Sequence, residues 1–170
     1  MLKYICSFRN TAVKDKDMKN TTLCYIEKDG AYLMMHRVKK VNDENRDKWI
    51  GIGGKLEEAE TPYDAARREI LEETGLIANE LFYRGIITFV SDIYGTEYMH
   101  LFTTDKFTGE LKSDCDEGDL EWVKKADVLN LPIWEGDKIF LRLLDTEERF
   151  FSLKLIYRGD KLITNCIEYR

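Results

Sequence analysis

Three glutamates at helical spacing are the residues of this chain best suited to chemistry. Glu69, Glu72 and Glu73 stand at positions i, i+3 and i+4, so a helix would project them from one face. Carboxylates this close repel one another, and a divalent cation would reverse that effect. Such oxygen ligands suit Mg²⁺, with Mn²⁺ as a substitute, and Mg²⁺ usually also binds substrate phosphates. The trio therefore predicts a metal site for a phosphate compound, and the alternative is a solvated helix face.

The residues around this trio predict the helix that would carry it. Thr61 is a suitable N-cap, Pro62 suits the first helical position, and Gly75 offers a C-terminal stop. We therefore expect one helix over residues 62–74. Its packing surface should come from small and apolar side chains, namely Ala65, Ala66, Ile70 and Leu71.

The trio belongs to a longer motif, G-x5-E-x7-R-E-U-x-E-E-x-G-U, in which U is apolar and which spans residues 54–76. Its fixed positions are filled by Gly54, Glu60, Arg68, Glu69, Glu72, Glu73 and Gly75, and its apolar positions by Ile70 and Leu76. We expect Glu60 and Arg68 to support the site by orienting the glutamates, because an acid cluster needs fixed partners. The glycines that lead into Gly54 let the backbone approach the site closely.

The rest of the chain predicts a mixed α/β domain. Apolar and β-branched runs predict strands at 22–27, 31–36, 81–91, 97–107, 121–123, 150–157 and 161–168, and helical spacing predicts a second helix over 135–144. The charge-rich segment 39–48 is either a lid over the site or a solvated loop. Residues 1–20 form a possible N-terminal extension, with a strand at 2–8 and a charged stretch at 14–19.

Composition narrows the class of protein. A length of 170 residues with 44% apolar content favours one domain over residues 1–170, as a monomer or homodimer. The net charge of -6 argues against binding of long nucleic acid, although a single nucleotide remains compatible with it. Four widely separated cysteines favour a reduced, cytoplasmic protein. The sequence shows neither a signal peptide nor an apolar run of membrane-spanning length.

The motif over residues 54–76 resembles the Nudix box of Nudix hydrolases. The wider pattern over about residues 21–170 resembles the MutT-like, 8-oxo-dGTP diphosphatase branch of that family, through KWIGIGGKLEEAE, CDEGDLEWV and LPIWEGDKIFLRLL. The resemblance implies an α/β/α sandwich with a mixed β-sheet. It also implies Mg²⁺-dependent hydrolysis of a nucleoside diphosphate linked to another group. A nucleoside triphosphate would yield the monophosphate and pyrophosphate.

The resemblance also implies roles for individual carboxylates. Glu69, Glu72 and Glu73 become the expected metal ligands, and one of the last two is alternatively the general base. Glu117, in the acidic segment before the strand at 121–123, becomes a fourth carboxylate with a metal-binding or general-base role. The alternative for Glu117 is a surface acid among its acidic neighbours.

Two further residues are implied in substrate binding. Trp134 would stack on a purine, and Asp137 would hydrogen-bond the edge of the base. The chain departs from some members of the branch, because Ile50 follows Trp49 where they carry a polar amide. The expected substrate is an oxidised or noncanonical purine nucleotide such as 8-oxo-dGTP, as in nucleotide-pool sanitation. The alternatives are ADP-ribose, nucleotide sugars or dinucleoside polyphosphates, and a non-catalytic nucleotide-binding module.

Overall fold

A computed structural model describes residues 18–40 and 43–170. The strands are β1 (Lys19–Lys28), β2 (Ala31–His36), β3 (Trp49–Ile50), β4 (Ile77–Ala78), β5 (Phe82–Ser91), β6 (Gly95–Thr104), β7 (Phe107–Thr108), β8 (Asp119–Lys124), β9 (Phe151–Arg158) and β10 (Lys161–Tyr169). The helices are α1 (Pro62–Thr74), α2 (Lys125–Val128) and α3 (Asp137–Thr146). The strand expected at 2–8 and most of the charged stretch at 14–19 lie outside the described residues.

The main sheet is mixed, as expected. Its strands lie in the order β10-β9-β5-β6-β1-β2-β3, and β8 also pairs with β2. The pairs β1–β6 and β5–β9 are parallel, whereas the other pairs in this sheet are antiparallel. The short strands β4 and β7 form a separate antiparallel pair.

Helices cover the sheet on both sides, which explains why the middle of β1, from Leu23 to Ile26, is apolar without interruption. In β1, Cys24 and Ile26 belong to one buried cluster with Ile70 of α1, whereas Tyr25 belongs to a second cluster with Phe140 of α3. Successive strand residues point to opposite faces, so a strand buried on both faces must be apolar throughout. The expected α/β/α sandwich is therefore confirmed.

The helix expected over residues 62–74 is confirmed with the same bounds. Thr61 caps it, because its hydroxyl accepts the Asp64 backbone N–H at 3.2 Å and the Asp64 carboxylate accepts the Thr61 N–H at 3.0 Å. Gly75 ends the helix in the left-handed region at a φ of 77°. One packing prediction is wrong: Leu71 is 51% exposed, on the side of the helix that faces away from the sheet.

Several other elements differ from the expected bounds, among them β6, which spans Gly95–Thr104 rather than 97–107. Three of these differences follow from tertiary contacts. β1 begins at Lys19, since its first residues pair in parallel with β6. β8 is longer than 121–123, since it pairs with β2 along its whole length. α3 begins at Asp137 rather than at 135, because the Asp137 N–H bonds the Trp134 carbonyl in a turn at 3.1 Å. This turn brings both expected base-binding residues to the start of α3.

Candidate active site

A cleft of about 460 Å³ opens beside the N-terminal halves of β1 and β6. One part of it is lined by acidic and basic side chains together with the glycine loop, including Arg37, Lys40, Gly53, Gly54, Lys55, Glu69 and Glu117. The other part is lined by aromatic and apolar side chains with buried polar groups, including Leu23, Ile50, Phe89, Tyr94, Met99, Trp134 and Asp137. Glu69 and Glu117, two of the four expected metal ligands, therefore share one cleft with Trp134 and Asp137, whereas Glu72 and Glu73 do not line it.

Glu73 is the most deeply buried carboxylate of the motif. It is 6% exposed, and its Oε2 accepts the backbone N–H of Gly53 at 3.1 Å. Burial raises its pKa to about 8, and the negative charges of Glu117 and Glu69 add to the effect. A cation placed among these carboxylates would lower that pKa by stabilising the ionised form.

Glu69 lies directly against the glycine loop. A Cβ atom at Gly54 would lie 2.3 Å from the Glu69 Oε1, so the space needed by the carboxylate exists only because residue 54 is glycine. Burial raises the pKa of Glu69, the Arg68 guanidinium opposes this shift, and the charges of Glu72 and Glu117 add to it. The glycine loop and the acidic face of α1 are thus fitted to one another.

Arg68 donates hydrogen bonds to three acidic side chains of the motif. Its Nε and Nη2 donate to the two carboxylate oxygens of Glu60 at 2.7 and 2.9 Å. Its Nη1 donates to Glu69 at 2.8 Å and to Glu72 at 3.2 Å, and Nη2 also reaches the Lys55 carbonyl at 3.0 Å. The hydrogen bonds from Arg68 lower the pKa of Glu60 to about 2.

The three glutamates of the trio differ in environment more than their spacing suggests. The Glu72 side chain is 60% exposed, whereas that of Glu69 is 15% exposed and Glu73 is buried. Among the described residues, no three acidic, histidine or cysteine side chains converge on one point as a metal cage. The donor set nevertheless fits Mg²⁺, because it consists of carboxylate oxygens and the charge of Glu117 raises the pKa of both Glu69 and Glu73.

Glu117 is brought to the same place from the loop before β8. It accepts hydrogen bonds from Arg37 and Lys40, and its charge raises the pKa of Glu73. Burial alone would raise the pKa of Glu117, but the two cations lower it below its ordinary value. The structure therefore does not place Glu117 as an isolated surface acid; it gives this residue a position beside Glu73.

Trp134 forms the wall of the aromatic part of the cleft. It is 8% exposed and packs edge-on against Phe89, with ring centroids 5.9 Å apart, and against Tyr157 at 5.4 Å. Its indole N–H donates to the Asn45 Oδ1 at 2.8 Å, and the Lys48 Nζ lies 4.4 Å from its ring centroid. These contacts fix the ring in one orientation.

Asp137 adds a buried carboxyl group to this part of the cleft. It is 8% exposed, and none of the described residues donates a hydrogen bond to its carboxyl group. Burial raises its pKa to about 8; Lys48 opposes the shift and Glu97 adds to it. At neutral pH Asp137 is therefore largely a neutral acid, able both to donate and to accept a hydrogen bond.

Comparison with known proteins assigns the family. The model of the NUDIX domain matches residues 18–144. The chain belongs to the Nudix family. It is a hydrolase of phosphoric anhydrides that acts on small nucleotide substrates.

Relatives with known sequences or structures agree with this assignment. The Nudix hydrolase is 31% identical over 124 residues to YvcI, an uncharacterized Nudix hydrolase of Bacillus subtilis, which covers 71% of this chain and 75% of that protein. It is 37% identical over 123 residues to the oxidized purine nucleoside triphosphate hydrolase of Danio rerio, covering 71% and 78%. The crystal structure of the mutator MutT protein from Bacillus halodurans superposes with a TM-score of 0.80 at 26% identity, covering 88% of this chain and 97% of that one.

Basic residues around the acidic part of the cleft were missed by the sequence analysis of this Nudix hydrolase. Lys19, Arg37, Lys40 and Lys55 all line the cleft, although the chain as a whole carries a net charge of -6. The available signal was the charge-rich segment 39–48 and the lysine that follows the glycine loop. Such cations can neutralise substrate phosphates.

The segment before β3 contributes a second missed residue, Asn45. Ion pairs hold this segment in place, with Arg37 Nε 2.6 Å from Asp43 Oδ2 and Lys19 Nζ 2.9 Å from Glu44 Oε1. Ile50 lines the cleft without a polar group, as expected, but the Asn45 side chain brings an amide to the same cleft. Since Asn45 Oδ1 accepts from Trp134, its NH₂ group is left to donate elsewhere.

No helix in the described part of the Nudix hydrolase, residues 18–40 and 43–170, is long and apolar enough to cross a membrane.

Proposed function

We propose that this Nudix hydrolase cleaves a purine nucleoside triphosphate, with oxidised or noncanonical purines such as 8-oxo-dGTP preferred, to the monophosphate and pyrophosphate. The observation that carries the proposal is the composition of the single cleft. Cations and carboxylates line one part, and a fixed tryptophan with a buried, neutral Asp137 lines the other. The relative from Danio rerio, an oxidized purine nucleoside triphosphate hydrolase, supports the same substrate class.

In this proposal Glu69, Glu72, Glu73 and Glu117 hold Mg²⁺, or Mn²⁺ in its place. The bound metal would supply charge neutralisation at the phosphates and a lower pKa for the attacking water. Arg37, now paired with Glu117, lies where its guanidinium can exchange that partner for a substrate phosphate oxygen. These interactions would place the anhydride bond beside the carboxylates.

Glu73 and Glu117 are the two candidates for the general base. Glu73 is buried, its Oε2 is held by the Gly53 N–H, and its Oε1 accepts no hydrogen bond from a described residue, so this oxygen is available to accept a proton from water. Glu117 has a lowered pKa while Lys40 and Arg37 are its partners. We assign the base to Glu73 and a metal-binding role to Glu117.

Base recognition would rest on Trp134, Asp137 and Asn45. The tryptophan gives a face on which any purine can stack. The neutral carboxyl group of Asp137 can pair with one donor and one acceptor on the base edge, and Asn45 contributes amide donors. Oxidation at C8 of guanine turns the N7 acceptor into an N–H donor, so the oxidised base presents one more donor to the acceptor groups of this cleft.

The test is a comparison of kcat/KM over a panel of substrates. The panel contains dGTP, 8-oxo-dGTP, other modified purine triphosphates, ADP-ribose, nucleotide sugars and dinucleoside polyphosphates. The proposal expects a purine triphosphate with a modified base to lead, with pyrophosphate as a product. A lead by ADP-ribose or a nucleotide sugar would reject the triphosphate proposal while leaving the Nudix hydrolase assignment in place.

A further inference from the structure

Glu97 is a carboxylate in the cleft for which the phosphate chemistry provides no role. It lies in β6, directly across from Phe89 of β5 in the sheet register, and Phe89 in turn packs against Trp134. Cross-strand neighbours present their side chains on the same face of the sheet. Glu97 therefore belongs to the aromatic part of the cleft rather than to the acidic face of α1.

Only one of the two carboxylate oxygens of Glu97 is used within the described residues. The Thr21 hydroxyl donates to Oε1 at 2.7 Å, and Thr21 is 7% exposed, so this contact is fixed in place. Oε2 receives no hydrogen bond from any residue of the described chain. Lys19 and Lys55 lower the pKa of Glu97 through their charge, without donating a hydrogen bond to it. A partly buried carboxylate with an unused oxygen that lines a cleft is an acceptor available to a ligand.

Asp137 provides an independent sign that a ligand group belongs here. It is more than nine-tenths buried, it lines the same cleft, and no described residue donates a hydrogen bond to it. The charge of Glu97 raises the pKa of Asp137, which places the two carboxyl groups within electrostatic reach of one another. Two neighbouring carboxyl groups with unused hydrogen-bonding capacity favour a ligand that brings donors to both.

We propose that Glu97 is a specificity-determining residue whose free oxygen accepts a hydrogen bond from the exocyclic amino group of the purine that stacks on Trp134. This inference rests on the proposed function and adds a substrate class to it: purines with two donor groups on one edge, one for Glu97 and one for Asp137. Guanine-type bases, with a ring N–H beside an exocyclic amino group, have this pattern. Hypoxanthine retains the ring N–H and lacks the amino group, so it loses one of the two bonds.

The test measures the ratio of kcat/KM for dGTP to that for dITP, which differ only in the 2-amino group. Wild-type enzyme should prefer dGTP by about tenfold, since one partner of a buried hydrogen bond is missing with dITP. Glu97→Leu should reduce the ratio to about one. Glu97→Gln keeps one side-chain oxygen, and the Thr21 hydroxyl can accept from the new NH₂ group, so that this oxygen can face the base and restore part of the preference. Glu44→Gln is the matched control, because it also removes a negative charge beside Lys19; it should change both substrates equally.

The outcomes separate this inference from the function on which it rests. Hydrolysis of purine triphosphates with a ratio that stays the same in wild type, Glu97→Leu and Glu97→Gln would overturn the role of Glu97 and leave the proposed function standing. A Glu97→Leu variant that alters the preference between ribose and deoxyribose, and not between bases, would also overturn it. Failure of the wild type to hydrolyse any purine triphosphate would overturn both. Should Glu97→Leu fold poorly, Glu97→Ala takes its place, with the same expected ratio of about one; an unchanged ratio in that variant would overturn the role of Glu97.

Discussion

The backbone N–H of Gly53 donates to the Glu73 carboxylate at 3.1 Å, and this bond ties the glycine loop to the last turns of α1. The loop itself is held to β1, where the Thr22 N–H bonds the Gly54 carbonyl at 2.8 Å. Strand, loop and helix are thereby joined at the point where the expected metal ligands lie. The position of Glu73 is consequently set by backbone groups rather than by flexible side chains.

Replacing Glu73 with glutamine should abolish most activity with little effect on folding. The amide is nearly the same size and can keep the contact with Gly53, but it can neither bind a cation as a charged ligand nor accept a proton from water. We expect turnover to fall about 100-fold or more. Pyrophosphate release measures the effect, with circular dichroism as the folding control. Near-normal turnover in both Glu73→Gln and Glu72→Gln would argue against the metal assignment.

Alanine substitutions at Gly53 and Gly54 should have different effects on stability and activity. A Cβ at Gly53 would lie 2.1 Å from the Thr22 carbonyl oxygen, which belongs to the backbone and cannot move away. We expect Gly53→Ala to lower the free energy of unfolding by about 1–3 kcal/mol. A Cβ at Gly54 meets the end of the Glu69 side chain, which can swing aside.

Gly54→Ala should therefore lose activity while keeping most of its stability, with a change below about 1 kcal/mol. Urea unfolding and pyrophosphate release on the two variants side by side provide the comparison. Equal losses of stability in both would show that the Glu69 side chain is held as firmly as the backbone.

The stability of the folded protein should depend on pH through the ionisation of Asp137. Burial raises its pKa to about 8 in the folded protein, whereas an unfolded chain gives about 3.9. The folded state therefore binds this proton more tightly, so the contribution to stability is complete below about pH 4 and is lost as pH rises to about 8. Asp137→Asn carries no such proton.

Melting temperatures of wild type and Asp137→Asn over this pH range test the prediction. The wild type should lose stability relative to the variant as pH rises, and the difference should level off above about pH 8. Using the difference cancels the contribution of Glu73, whose pKa is also raised to about 8. Parallel curves for the two proteins would mean that Asp137 is ionised in the folded state well below neutral pH.

Substitution of Trp134 should separate stacking from hydrogen bonding. Trp134→Ala removes the ring and should raise KM about tenfold for every purine substrate. Trp134→Phe keeps an aromatic face but loses the N–H that bonds Asn45, so it should retain most of the binding and loosen discrimination among bases. Steady-state kinetics on dGTP, dATP and 8-oxo-dGTP distinguish the two effects. A Trp134→Ala variant with unchanged KM values would exclude stacking at this position.

The extent of agreement between sequence and structure follows from the range of the interactions involved. Helix α1 could be predicted to the residue because its start and end depend on local chemistry at Thr61, Pro62 and Gly75. The start of β1 at Lys19 could not, because it depends on pairing with a strand that is distant in sequence. The metal-binding and substrate-binding roles of the acidic residues stay predictions, although Glu117 does lie beside Glu73.

The residues missed in the cleft show the same limit. Asn45 and Glu97 belong to no sequence motif. Asn45 lines the cleft because the loop before β3 folds against it, and Glu97 because the start of β6 lies beside it. Leu71 shows the reverse case, since helical spacing alone does not reveal how much of a helix face the sheet covers. Sequence patterns thus predicted the helix that carries the motif better than the walls of the cleft around it.

The two separate cores have a consequence for how this enzyme can change over evolutionary time. Helix α1, with the acidic motif, packs into one core, whereas α3, which begins at Asp137, packs into the other. The sheet lies between them, and the buried residues of the two helices belong to different clusters. Substitutions that reshape the base pocket can therefore accumulate on one layer while the phosphate chemistry on the other is preserved, which allows one hydrolytic centre to acquire new substrates.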